Sequence, residues 1–416
     1  MEKQYDTGTV WGLGLISILG AVAVYVFTAP FGLGLMSDSI VYLQAAKYLA
    51  LGQGVSAFNN AAELSPMTSL APGFPFVLSW AWFLGASFAD WARSLNILAA
   101  ALSIFLSGWL VFYVTRERVA ALLMAGLLTV SVPFLQAHGR LSAEPLFILS
   151  LLVFVCSLVV FNGTGRLGMF YTAVVSSVAL TSFSYLGALV IVGGIGWIWL
   201  RARKDGFPQR PALFTMLVLL FPVFLWLRHS LAGGNWRGFF PAEVLSWLLP
   251  VDVLAVMVLG ICVPRIMAAK DLRRKKIFLG LCAGLFIWSL VCSAQLAGAF
   301  FTRGYGYTAK DVSSSKIVET LRSVDDRVPL YSNDPQAIYY FSGRPAIRIP
   351  GNGEDDRYFP SQGSVLNDFR TRRAAAVIFG VKNFVPGSTW SAIAHSEGFG
   401  VLAEDKVARI DGIRKK

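Results

Sequence analysis

The chain has 416 residues, of which 55% are hydrophobic and only 14% charged, with a formal net charge of +12. Soluble domains carry about 25% charged residues, so this composition excludes an ordinary soluble protein. The positive charge invites a nucleic-acid partner, but no zinc-ligand set, basic helix or RNP-like strand accompanies it. Its basic residues sit in short clusters between apolar runs and along the tail, where they read as a topology signal.

The charge deficit is uneven. Residues 11–301 form a series of apolar runs, several long enough to cross a hydrocarbon layer of about 30 Å. From Arg303 onward charges return at the density of a soluble domain. That break separates a membrane part, residues 1–302, from a terminal part, residues 303–416. Cys156, Cys262, Cys282 and Cys292 all fall within the apolar runs, which leaves the terminal part without a disulfide framework. Their spacing fits no metal site, and a free Cys in such a run packs as a small hydrophobe.

The first apolar run, 11–30, lacks an A-x-A-like cleavage site and reads as an uncleaved first span. Further spans are predicted near 93–114, 119–136, 146–161, 168–182, 186–200, 211–228, 253–268 and 277–301, about nine in all. With the N-terminus cytoplasmic, the inner segments hold Lys3, Arg116, Arg118, Arg166, Arg201, Arg203, Lys204, Arg210, Arg265, Lys270, Arg273, Arg274, Lys275 and Lys276. The outer loops before residue 303 hold Lys47, Arg140, Arg228 and Arg237, with Arg93 at a boundary. That asymmetry, with an odd number of spans, predicts a terminal part on the extracytoplasmic side.

The run at 74–88 is apolar and Trp-rich, but short and flanked by Pro72, Gly73 and Pro75. Counting it as a span would move every later basic cluster outside. It is therefore predicted to lie in the outer interface, where Trp rings prefer to sit. The first outer loop then covers 31–91 and carries interfacial helices; a connection of that length is usually functional.

Three outer segments carry polar chemistry. In 35–54, Ser37 or Asp38 is expected to cap a helix that stops at Gly52 or Gly54, leaving Asp38 facing outward. Residues 64–76 hold three prolines and a glycine, which fix an irregular backbone. The short turn at 136–147 gathers His138, Arg140 and Glu144, with Glu144-Pro145 suited to a helix N-terminus. Each acid could be purely structural. Together, two outward carboxylates beside cationic groups suit a substrate with a lipid tail and a phosphorylated head: a carboxylate can deprotonate a hydroxyl or bind a metal, and cations can hold phosphate.

In this order, Asp38, Tyr42, Ala45, Ala46, Gly52 and Gly54, the Ala-Pro-Gly-Phe-Pro run at 71–75 and the Ser-Ala-Glu-Pro-Leu-Phe turn at 142–147 form an ordered set. The set resembles the GT-C superfamily of membrane glycosyltransferases, in particular the branch of dolichyl-phosphate-mannose–protein mannosyltransferases (family 39-like) and bacterial lipid A aminoarabinose transferases. The likeness covers about 31–165; residues 166–301 match in topology alone, and 329–345 look like the small outer domain of bacterial relatives. The resemblance implies transfer of a sugar from a polyprenyl-phosphate donor on the outer membrane face, inverting, with Asp38 as catalytic carboxylate and Glu144 as the second acid. Tyr42, His138 and Arg140 would bind substrate, and Arg303 at the end of the last span could clamp a lipid-linked phosphate. Asp38 is followed by Ser39 rather than a second acid, and no Asp-x-Asp motif occurs, so no metal or other cofactor is expected although a divalent ion would be compatible with the chemistry.

The terminal part reads as a small α/β unit: strands at 328–332, 346–349 and 375–380, helices at 335–341 and 365–373, and a final hairpin from 400–403 and 406–410. Carrying no phosphate loop and His395 alone for histidine, it is expected to cover the membrane site or select the acceptor. The whole is thus a mainly α, polytopic membrane helix bundle with a small extracytoplasmic α/β domain, predicted for a bacterial plasma membrane. Its expected partners are a polyprenyl-phosphate sugar, membrane lipid and an unspecified acceptor. A lipid-linked-sugar flippase would want ionisable or unwound positions at mid-bilayer; a catalytically silent scaffold of the same fold is the other alternative.

Overall fold

The structure, a computed structural model, describes residues 7–68, 70–205, 272–349, 374–379, 399–404 and 408–413. The predicted spans at 211–228 and 253–268 and the predicted helix at 365–373 lie outside these residues. The chain divides into two units: Met1–Gly32 with Thr68–Thr302, and Leu33–Met67 with Arg303–Lys416. Residues 33–67, within the long first loop, group with residues 303–416.

The first unit is helical. Its elements are α1 (Thr7–Phe27), and after the excursion into the second unit α3 (Gly73–Phe83), α4 (Phe88–Thr115), α5 (Arg118–Thr129), α6 (Val132–His138), α7 (Glu144–Thr164), α8 (Leu167–Phe183), α9 (Gly187–Asp205) and α10 (Leu272–Arg303). The intervening α2 is Ser37–Ala50. Among the described residues α1, α4, α7 and the Ala283–Arg303 stretch of α10 are long and apolar enough to cross a membrane. The α5–α6 pair makes a fifth such path, bent by 57°. The chain is a multi-pass membrane protein.

The burial pattern is that of a bundle in lipid. On α1, Trp11, Leu15, Ile18 and Leu19 are exposed while Thr9, Ser17 and Gly20 are buried. On α4 the packed stripe is Ala92, Asn96, Ala99, Ser103, Ser107 and Gly108, whereas Leu98 and Leu102 face out. Lipid offers apolar side chains the same environment as a protein core, so interfaces recruit small residues that let backbones approach. Gly108 shows why: a side chain there would run into Leu13 on α1 and meet the Ala121 carbonyl oxygen at 3.1 Å. The buried hydroxyls bond inside their own helices, Ser17 to the Leu13 carbonyl at 2.8 Å and Ser107 to that of Ile104 at 2.8 Å.

One predicted span is broken. The run at 119–136 divides at 130–131 because Ser131 starts a new helix, its hydroxyl accepting from the Phe134 amide at 3.3 Å, with Pro133 in the first turn. Ser293 on α10 donates to the Val130 carbonyl at 2.5 Å, satisfying a group at the break. The interfacial candidate, α3, has 11 residues. At about 1.5 Å per residue it reaches roughly 16 Å, half a hydrocarbon layer.

The second unit joins α2 and the hairpin β1 (Ser56–Phe58)–β2 (Leu64–Pro66) to α11 (Lys310–Ser313), α12 (Lys316–Ser323), β3 (Leu330–Ser332), α13 (Pro335–Ser342), β4 (Ile347–Arg348), β5 (Ala375–Phe379), β6 (Phe399–Glu404) and β7 (Ala408–Ile413). The sheet order is β4-β3-β5-β7-β6. β3 pairs in parallel with β4 and β5, and β7 runs antiparallel to both β5 and β6. Its core packs Ile317, Val318 and Leu321 of α12 and Ile338 and Phe341 of α13 against Leu330 and Val377 of the sheet. The strands and α13 stand where the apolar alternation places them. What the sequence does not show is that the loop helix α2 packs on α13.

Candidate functional site

The second unit organises the chain around Asp38 in steps that begin with two glycines. Residues 33–36 run beside 304–308: the Tyr307 amide donates to the Leu35 carbonyl at 2.8 Å, and the Thr308 hydroxyl to that of Leu33 at 3.3 Å. This approach requires Gly34, where a Cβ would stand 2.8 Å from the Tyr305 ring. It also requires Gly306, at φ +63°, where a Cβ would collide with the Leu35 carbonyl oxygen. The segment then turns into α2. Its cap is Met36, whose amide donates to the Ser39 hydroxyl at 2.9 Å. The expectation that Ser37 or Asp38 caps the helix is thus corrected: Ser39, one turn in, reaches back and supplies the acceptor. Asp38 is left in the first turn, exposed, where the helix dipole favours a carboxylate.

Beside it stands Tyr307. Its hydroxyl donates to Asp334 Oδ2 at 2.6 Å. Asp334 is itself fixed as the cap of α13: Oδ1 accepts from the Ala337 amide at 3.2 Å, and its own amide donates to the Ser332 hydroxyl at 3.0 Å. Burial, then the charge and hydrogen bond of Asp334 and the charge of Asp38, push the Tyr307 phenol well above the ordinary tyrosine range. It therefore remains a neutral donor at any working pH.

The rest of α2 is locked to the terminal residues. Gln44 is 1% exposed; its Nε2 donates to Gln336 Oε1 at 2.9 Å and its Oε1 accepts from the Phe58 amide at 2.9 Å. Phe58 in turn packs on Tyr48 and Tyr339 at centroid distances of 5.8 and 5.5 Å. Tyr42, expected to bind substrate, is buried with Ile40, Ala45 and Ala46 on the packed face. Arg303 ends α10 and is exposed.

The other three candidates belong to the first unit. Glu144 is the first residue of α7, half-buried, ahead of Pro145. His138, placed above in the outer turn, is fully buried at the end of α6. Its ring lies 4.0 Å from that of Phe134, with Nδ1 2.7 Å from the Phe134 carbonyl. Arg140 is 8% exposed. The sequence reading missed Asn96, whose side-chain amide donates to the carbonyls of both His138 (3.0 Å) and Arg140 (2.7 Å) and so pins this turn to α4. A lone amide inside an apolar span was the available signal. The outward polar turn of the sequence is, in the structure, a packed corner that sets the start of α7.

Asp38, Tyr42 and Arg303 are thus in one unit with Tyr307 and Asp334, and His138, Arg140 and Glu144 in the other. Among the described residues no group of three or more His, Cys, Asp or Glu side chains gathers as a metal site would require.

This helical membrane bundle, interrupted by a loop helix that joins a small mixed-sheet unit, shares its fold with a solved bacterial membrane protein. One similar solved structure is that of ArnT from Cupriavidus metallidurans bound to undecaprenyl phosphate: TM-score 0.63, 12% identity, 98% of each chain covered. The Archaeoglobus fulgidus oligosaccharyltransferase, solved with zinc and sulfate, overlaps 88% of this chain and 68% of its own at 13% identity and TM-score 0.45. No family model and no curated protein matches the sequence.

Proposed function

We propose that the chain is a glycosyltransferase that moves a sugar from a polyprenyl-phosphate donor to an acceptor on the outer membrane face, in a bacterial plasma membrane. Asp38 is the general base: it takes the proton of the acceptor hydroxyl as that oxygen attacks the anomeric carbon, and the polyprenyl phosphate leaves with the bonding electrons, inverting the centre. Arg303 and the cationic groups near the outer ends of the spans steady the phosphate. Glu144, at the start of α7, is the second acid. Fold alone does not fix function. The observation that carries the reading is Asp38 itself, an exposed carboxylate in the first turn of α2 whose capping duty Ser39 has taken over.

Support comes from the extent of the shared fold: the likeness to a structure holding undecaprenyl phosphate runs over 98% of both chains. The test is turnover by the purified, lipid-reconstituted protein, read as release of undecaprenyl phosphate from a panel of radiolabelled undecaprenyl-phosphate sugars. A total membrane extract supplies acceptors. Asp38→Asn is expected to lower kcat by about 10²–10⁴-fold, the range of a general base, and Glu144→Gln by about tenfold. Equal rates for wild type and Asp38→Asn on every productive donor would refute the assignment. Passage of donor across the bilayer with no covalent product would identify a flippase.

A further inference from the structure

The anchor that Tyr307 makes between Leu35 and Asp334 is not needed to explain the fold of either element it joins. Met36 and Ser39 already cap α2. Asp334 already caps α13 through Oδ1. Its second oxygen, Oδ2, is spent on the Tyr307 hydroxyl at 2.6 Å, the length of a charge-assisted bond. The Tyr307 amide donates to the Leu35 carbonyl at 2.8 Å, three residues ahead of the candidate base. The phenol ring is held in place by stacking on Tyr340, at 6.1 Å and 25° between planes, and by the edge of Phe341 at 6.2 Å. Its backbone is held by Leu35. Every degree of freedom of this side chain is fixed, in the loop that follows the last membrane helix.

From this arrangement we infer that Tyr307, oriented by Asp334, is a positioning residue for Asp38: the anchor holds the first turn of α2 in the geometry in which the Asp38 carboxylate meets the acceptor hydroxyl. The inference deepens the proposed glycosyl transfer and rests on that reading. Tyr307 exchanges no proton. Asp334 accepts its hydrogen bond, the Tyr307 amide holds the Leu35 carbonyl, and the role is to remove freedom from the turn that carries the base. A displacement of about 1 Å at a reacting group can cost about 10²-fold in rate, and losing one hydrogen bond of this anchor permits a fraction of that. The role belongs to the step after binding. It predicts an effect on kcat and not on donor affinity.

The experiment is steady-state turnover of the reconstituted full chain with the undecaprenyl-phosphate sugar on which wild type is most active, comparing wild type, Tyr307→Phe and Asp334→Asn. Phe keeps the ring and its stacking and removes only the hydroxyl. Asn keeps an oxygen to cap α13, but offers an amide in place of the charged acceptor. Both variants are expected to lower kcat by about tenfold with KM for donor within about twofold of wild type, and the double variant to be no slower than the worse single one. Thermal unfolding in detergent is followed alongside. A lower kcat with an unchanged melting temperature supports positioning. Variants at wild-type kcat overturn it, as does a loss that falls wholly on KM or is strictly additive in the double variant. If a single variant misfolds, the other carries the comparison. The two failures are distinct: no turnover by wild type defeats the glycosyltransferase reading and this role with it, whereas an active wild type with indifferent Tyr307→Phe defeats this role alone.

Discussion

At the scale of single residues, the turn that carries Asp38 is set by which side chain reaches the Met36 amide. Ser-Asp-Ser ahead of a helical run announces the start of α2, and the structure has Asp38 in its first turn. The wrong residue was given the cap because three hydroxyl and carboxyl groups compete within three positions, and only geometry shows that Ser39 reaches Met36. Tyr307 and Asp334 meet across 27 residues, a separation no local pattern encodes. His138 stands among polar residues in the sequence, yet it is buried: Nδ1 meets the Phe134 carbonyl and the Asn96 amide holds the His138 and Arg140 carbonyls, while His138 Nε2 and Asn96 Oδ1 have no hydrogen-bond partner among the described residues. The Tyr307 phenol yields a prediction at this scale. Its folded pKa lies above the unfolded value of about 10, so the proton is held more tightly in the folded state. The stability this contributes is complete below about pH 10 and is lost as pH rises from there towards the folded value. Burial raises Tyr339 and Tyr340 in the same direction. Chemical denaturation in detergent from pH 8 to 11 should show stability falling above pH 10, and falling less steeply in Tyr307→Phe. Equal slopes for both proteins would remove Tyr307 as the source.

Elements were legible where length and periodicity agree, and misread where a short polar feature interrupts an apolar run. Ser131 and Pro133 sit inside 119–136, but the surrounding hydrophobicity outweighed them, and the bend between α5 and α6 passed unseen. The short α3 is the converse case. Pro72, Gly73 and Pro75 limited it, and its 11 residues agree with that reading. One face of α3 is packed: Phe74, Leu78 and Ala81 are 0% exposed, and the Trp91 indole on α4 donates to the Val77 carbonyl at 3.0 Å. Gly73 lies so close to α8 that a Cβ would stand 2.6 Å from the Ser182 carbonyl oxygen. The other face, with Phe76, Trp80, Trp82 and Phe83, is exposed and entirely apolar. An apolar, two-faced helix too short to span should lie with its Trp rings at headgroup depth. In bilayers of brominated lipid, the emission lost in Trp80→Phe and Trp82→Phe should be the fraction quenched best by bromines near the headgroups. Strongest quenching by bromines at the chain ends would place α3 across the bilayer and reverse every later loop.

At the scale of the whole molecule, composition changes near residue 303 and hydropathy marks the membrane helices; neither reveals that residues 33–67 of the first outer loop group with residues 303–416. The reason is physical. The contacts that join them are pairings of polar side chains and aromatic edges, such as Gln44 with Gln336 over 292 residues, and these leave no periodicity in either segment. The consequence is that residues 33–67 should open and close with the terminal core, not with the helices that flank them in sequence. Phe341, 6% exposed in that core, offers the probe. Replacing a buried Phe with Ala costs about 3–5 kcal/mol, enough to raise the open population of a cooperative unit by more than a hundredfold. In hydrogen exchange on the reconstituted chain, Phe341→Ala should speed exchange of amides in α2 and the β1–β2 hairpin together with those of α12 and α13. Amides of α4 and α7 should keep their wild-type rates. If α2 instead retained its protection while α12 and α13 lost theirs, the loop helix would be held by other contacts, and Asp38 would not depend on the terminal unit for its position.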